Sequence, residues 1–210
     1  MAKNKKRRQK ALEKKKSKRK AVKAAKRAFS RIISVSRDIA IAARSPVHEC
    51  LIPKTFFELG IGNVIIAKMM PTKSIGMGVF LLDVYCLGVK DAFYTHLIQN
   101  EYNEKKQQFG LESDLEIIHP SCARKLIEGG VSYAAQYGFK PHSDYKVIKQ
   151  IFGEIDPAAC PRVFDYGCDG KPYYVAGPND TPQKTEAILN TLLKKCGPGG
   201  YDYMIAIKDL

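Results

Sequence analysis

Residues 78–94 read GVFLLDVYCLGVKDAFY, apolar at nearly every position as far as Val89 and holding one acid, Asp83, near the middle. If 78–87 is a strand, Val79, Leu81, Asp83, Tyr85 and Leu87 share one face, and Phe80, Leu82, Val84 and Cys86 share the other. Two apolar faces need cover on both sides, so the stretch predicts a central strand of a helix-packed sheet. Its surroundings agree. HECLIP (48–53), IGNVIIAKMM (61–70) and SIGMGVFLLDVYCLGV (74–89) are rich in apolar and β-branched residues, and PTKS (71–74) has turn chemistry. A hairpin or a three-stranded meander is expected.

From Lys90 to Gln108 the chain has neither Gly nor Pro and grows polar toward Gly110, which predicts a helix whose far end reaches solvent. DLEIIH (114–119) predicts a short strand. Ser121 stands where an N-cap belongs, before CARKLIEGGVSYAAQY, with Gly138 as the stop. Each of Gly129 and Gly130 costs that helix about 1 kcal/mol relative to alanine, so the pair predicts close packing against a neighbour. A short helix is expected over 144–152, between Ser143 and Gly153. Asp169-Gly170 between RVFDYG and KPYYVAG is a hairpin signal. Thr181-Pro182 opens a helix through Lys195 that Gly197 ends, and YDYMIAI closes as a strand. Strands first, then helices, a hairpin, a helix and a strand predict an α+β fold with a mixed or antiparallel sheet.

Charge divides the chain. Residues 1–31 contain 16 Lys or Arg and a single acid, Glu13, which leaves 19 bases against 20 acids in the rest of the 210-residue chain. With almost no large apolar residue before Val22, the tail cannot offset its ordering entropy and is expected to be disordered or conditionally helical. The organisation predicted is a 1–31 tail, a linking helix over 32–44 and one globular domain over 45–210.

Clustered cations match a polyphosphate by charge alone. The tail therefore predicts nucleic-acid binding, RNA favoured over DNA, with Lys5, Lys6, Arg7, Arg8, Lys14, Lys15, Lys16, Lys18, Arg19 and Lys20 on phosphates. The competing uses are a solubilising extension on a protein-interaction module, with partners met by the globular body, and adhesion to anionic lipid. No run of about 18 apolar residues suggests a membrane span, and no apolar core follows the first residues as in a secretory signal, so a cytoplasmic location is expected. Cys50, Cys86, Cys122, Cys160, Cys168 and Cys196 then read as reduced thiols.

Asp83 needs a partner, because an ionised carboxylate left alone in an apolar layer costs several kcal/mol. It could be a metal-binding acid of a divalent-metal nuclease using Mg or Mn, which requires at least two more carboxylates from Asp91, Glu128, Asp156 and Asp165. The plainer reading, which we prefer, is a structural pairing with Lys90, Lys68, a histidine or a backbone turn. Apart from the nuclease alternative, no cofactor or metal is expected. His48-Glu49-Cys50 and His119-Pro120-Ser121-Cys122 lack zinc-ligand spacing, and Cys50 or Cys86 with His96 or His142 has no nucleophile motif around it. Gly177, Asn179, Asp180 and Thr181 stand at a helix mouth where amides could hold a phosphate, although Asp180 would occupy or repel the anion. Tyr173 and Tyr174 on the preceding strand offer one aromatic for base stacking.

HECLIP, GVFLLDVYCLGVKDAFY, SDYKVIKQIFGEIDPAACP and DGKPYYVAGPN together resemble a group of uncharacterised bacterial proteins, over most of residues 45–180. That resemblance implies a bacterial-type cytosolic domain and assigns no catalytic residue.

Overall fold

A computed structural model describes residues 34–112 and 114–205. The tail expectations for 1–31, including the phosphate contacts from Lys5 to Lys20, lie outside the described residues. Residues 34–44 are helical (α1), and the described residues from Ile39 onward form one compact unit.

Four antiparallel strands follow in chain order: β1 (Val47–Pro53), β2 (Ile61–Met69), β3 (Ile75–Asp83) and β4 (Gly88–Leu97). A one-turn helix, α2 (Phe56–Leu59), joins the first two. After α3 (Gln99–Glu112), β5 (Leu115–Ile117) pairs with the free side of β1 and completes a five-stranded sheet, β4-β3-β2-β1-β5. The fold is α+β.

β3 is central and buried almost throughout, as its two apolar faces require. One face presents Leu51, Ile65, Ala67, Met77 and Val79 to Tyr102 and Phe109 of α3. Cover on the other face comes from α4 (Pro120–Gln136) and from residues 145–152, which form α5 (Tyr145–Ile148) and a 3-10 turn. There Phe80 meets the rings of Tyr145 and Phe152, and Gly78 leaves room for Ile151. The expected close packing at Gly129-Gly130 is present: a Cβ on Gly129 would collide with the Tyr166 hydroxyl, and one on Gly130 would sit 2.8 Å from Leu82.

Several boundaries differ from expectation. The strand predicted over 78–87 ends at Asp83, residues 84–87 turn, and 88–97 return as β4 where a helix was expected from Lys90. Val89, Phe93, Tyr94 and Thr95 suit a pleated surface, and a ladder beside β3 outweighs the absence of Gly and Pro. Helix begins only at Gln99, where the Glu101 carboxylate accepts the Ile98 N–H at 3.0 Å. For α4 the cap is His119 and not Ser121, because Pro120 takes the first helical position and pulls Ser121 into the buried first turn.

Asp169 and Gly170 do form a turn, with φ of 49° and 75°, but its ladder stops at one bridge, Cys168 to Lys171. Gly167 N–H goes instead to Val84 O and Tyr173 N–H to Tyr85 O. The following strand, β6 (Tyr173–Val175), pairs in parallel with β7 (Asp202–Met204) across α6 (Pro182–Cys196). Thr181 caps α6, accepting Lys184 N–H at 3.2 Å, as the sequence predicts.

The expectation of six reduced thiols is corrected for one pair. Cys122 and Cys160 form a disulfide between the first turn of α4 and the residue after a 3-10 turn (Pro157–Ala159). Their separation of 38 residues gave no sign of it, since only the fold returns the 153–160 segment to α4. Cys50, Cys86, Cys168 and Cys196 are free.

Candidate functional site

Asp83 closes β3, and only 5 % of it is exposed. Its Oδ1 accepts the backbone N–H of Tyr85 at 3.0 Å and of Cys86 at 2.9 Å, so the carboxylate stabilises the tight turn into β4. Burial pushes its pKa up to about 6, opposed by the charge of Lys90 and by the N–H groups of Cys86, Leu87 and Tyr85. Of the partners considered for it, the backbone turn and Lys90 are the ones present. Lys68 is not among them: Asp83 pairs with Ile61 at the other end of β2. Seven residues of strand at about 3.3 Å each separate Ile61 from Lys68.

Lys90 occupies a bulge. β4 pairs Val89 with Leu82 and Asp91 with Leu81, leaving Lys90 as the extra residue between them. The bulge aims its ammonium at a second buried carboxylate, Asp180, at 3.9 Å. Two candidates 97 positions apart in the sequence, Asp83 and Asp180 of the 177–181 loop, thus meet at one lysine.

Asp180 is fully engaged. Its Oδ2 accepts Gly177 N–H at 2.9 Å and Tyr174 O–H at 3.1 Å, and Lys184 Nζ lies 2.6 Å from Oδ1. Burial works to raise its pKa, but Lys184, the Gly177 amide, Lys90 and Tyr174 outweigh it and hold the carboxyl below the usual range. Of the amides at this helix mouth, Gly177 N–H serves the Asp180 carboxylate and Lys184 N–H serves Thr181 Oγ1, so both are already engaged. Tyr174 is buried and takes no part in base stacking, whereas Tyr173 is half-buried beside the ring of Tyr85.

Above Lys90 and Asp180 lies a cleft of about 840 Å³. Leu81, Leu87, Val89 and Ile188 give it apolar walls, and Lys140 and His142 stand at its edge, His142 lying 3.7 Å from Asp91. With every charge on its floor paired, the arrangement favours holding a shape over transferring a proton.

The remaining acids do not gather on Asp83. Asp91 accepts the neighbouring Ala92 N–H, Glu128 pairs with Arg124, Asp156 caps Ala158, and Asp165 is exposed. Among the described residues no group of three or more His, Cys, Asp or Glu is placed to hold a metal ion.

Two arrangements escape sequence reading. Ser74 Oγ lies 2.5 Å from His96 Nε2 and 2.6 Å from Thr72 Oγ1, which ties the 71–74 turn to β4. These residues are brought together by the pairing of Gly76 with His96, which no local motif announces. Lys68 is the second, a lysine buried inside an apolar strand. Comparison with protein-family models, with curated proteins and with solved structures finds no match to this chain.

Proposed function

We propose that the protein binds nucleic acid, structured RNA in preference to DNA, through the polybasic segment of residues 1–31, while the near-neutral body supplies position or partner contacts. One observation carries this reading: 16 of the 35 Lys and Arg fall within those 31 residues against one acid. Such a density neutralises successive phosphates and releases their counterions, so affinity should fall steeply with salt. Sequence preference is not required, because phosphate contacts carry none. A cytoplasmic location belongs to the same reading. The body has no basic excess to contribute, so the tail must supply most of the attraction.

The test is retention of a structured RNA and of duplex DNA by the full chain and by a chain lacking residues 1–31, across a salt series. The full chain should bind RNA with log affinity falling linearly in log salt, by about 0.7–0.9 per phosphate contacted, and deletion should abolish most binding at low salt. Unchanged retention after the deletion sinks the proposal. Magnesium- or manganese-dependent cleavage that disappears in a folded Asp83→Asn chain would replace it with the nuclease reading. Absence of salt-dependent binding in the full chain would leave a solubilising tail on an interaction module.

A further inference from the structure

At the end of β2 far from Asp83, Lys68 enters the interior on the face turned away from α3. Only 3 % of the residue is exposed. Among the described residues its single hydrogen bond is from Nζ to the carbonyl of Ser45, at 3.4 Å, and it forms no ion pair. Buried polar groups are normally saturated with partners, and an ammonium withdrawn from water without a carboxylate is strongly disfavoured. Burial accordingly holds Lys68 below the usual lysine range, with Cys50 and Glu154 pulling the other way. The Cys50 thiol is itself pushed up to about 12 by burial and stays neutral, so it supplies no counter-charge.

Lys68 lines a cleft of about 480 Å³ with Arg44, Ser45, Val47, Glu154 and Ile155. Neither Arg44 nor Glu154 is in an ion pair among the described residues. The walls are fixed in place. Ser45 N–H bonds Ala42 O and its hydroxyl bonds Ile41 O, while Met69 N–H bonds Pro46 O. Gly153, at φ of 53° and next in sequence to the lining residue Glu154, lies so close to Ala43 that a Cβ would collide with the Ala43 carbonyl. Lys68 is thus a nearly buried amine at the wall of a small preformed cleft, with Arg44 and Glu154, both exposed, at the edge of the same cleft.

We propose that this cleft binds a small 2-oxo acid or a related carboxylate-bearing carbonyl compound, with Lys68 condensing with the carbonyl and Arg44 meeting the carboxylate. Burial favours the neutral amine of Lys68, the nucleophilic form in such condensations, and the cleft gives a carbonyl access to it. Lys68 Nζ forms a C=N bond, and the carbonyl oxygen leaves as water with two hydrogens from the amine. No electrons are gained or lost, so no co-reactant is needed. Arg44 provides a planar fork that fits a carboxylate. The proposal is independent of the polybasic segment, since none of these residues lies in it.

The test is reductive trapping on the full chain: pyruvate or glyoxylate, then borohydride, at pH 7, with peptide mass spectrometry to place the adduct. At that pH ordinary lysines are protonated to all but about one part in a thousand, so surface labelling is slow. The adduct should sit on Lys68 at about tenfold or greater occupancy than on Lys146 or Lys171. Arg44→Met should reduce trapping of pyruvate about tenfold and leave trapping of uncharged propanal at Lys68 unchanged. Lys68→Met should lose the adduct and melt no lower than the unaltered chain. Labelling spread over surface lysines without preference for Lys68 would overturn the proposal. So would pyruvate that binds the unaltered chain and is never trapped, which is the behaviour of a plain anion site. The labelling pattern on the unaltered chain decides the question even if a variant fails to fold.

Discussion

The two ends of β2 each hold a buried charge beside them, and the fold treats them in opposite ways. At Asp83 the carboxylate is surrounded by donors: two turn amides on one oxygen, with Lys90 close enough to act on it. At Lys68 the ammonium meets one long bond to a carbonyl and then a cleft. The first side chain serves architecture, because its Oδ1 closes a turn and removing that oxygen would orphan two amides. The second gives the fold little, and a buried ion without stabilising partners is where a binding or chemical role is most economically sought.

The largest expected effect separates the walls of the two sites. Glu154 and Ile155 line the Lys68 cleft, and the segment that carries them is tied to α4 by the Cys122–Cys160 bond. Cys160→Ala should cost on the order of 4 kcal/mol in denaturant unfolding, from the chain entropy of a 38-residue loop. Hydrogen exchange should quicken around Glu154 and Ile155 and stay slow at Tyr85 and Cys86; equal loosening at both ends would erase the distinction. Asp83→Ala comes next, at about 3 kcal/mol, since two amides lose their acceptor. Asp83→Asn, which keeps an acceptor oxygen, should cost under about 1 kcal/mol by the same reasoning.

A pH series then tests the same carboxylate. The folded protein holds the Asp83 proton more tightly than the unfolded chain, so its stabilising contribution is complete below about pH 4 and is lost as pH rises through about 6. Relative to Asp83→Asn, the unaltered protein should lose about 2 kcal/mol between pH 4 and pH 6. A constant difference would show that burial does not perturb the group. The remaining effect, also small, has the opposite sign. Lys68→Met should stabilise by about 1 kcal/mol, because an apolar chain of similar length replaces a buried amine held by one long hydrogen bond.

Much of the sheet was legible from periodicity alone. β1, β2, the 71–74 turn and the centrality of β3 follow from apolar runs bounded by turn residues, and α6 follows from Thr181, Pro182 and Gly197. What local pattern could not supply was competition between distant partners. Residues 90–97 carry no helix breaker, yet the open edge of β3 claims them as a strand. The flanks of Asp169-Gly170 look ready to pair with each other, and the 84–85 turn takes their amides first. Asp83 was visible as a buried acid, but its partners depend on where the strand stops. Nothing in IGNVIIAKMM marks Lys68 beyond its position among apolar residues, and its cleft is built from segments near 44 and 154.

The order of the sheet also bears on how the chain reaches its fold. β1 to β4 are neighbours in space as they are in sequence, each joined to the next by a short antiparallel return. Contacts between nearby segments close quickly, so this part of the sheet can assemble before anything beyond Leu97 has left the ribosome. Of its cover only α1 comes earlier, with Ala42 packed at Gly76; α3 and α4 come from later in the chain. For that interval most of the apolar surface of β3 stands open, and the period of greatest risk for aggregation is the one in which the sheet is already formed but not yet covered.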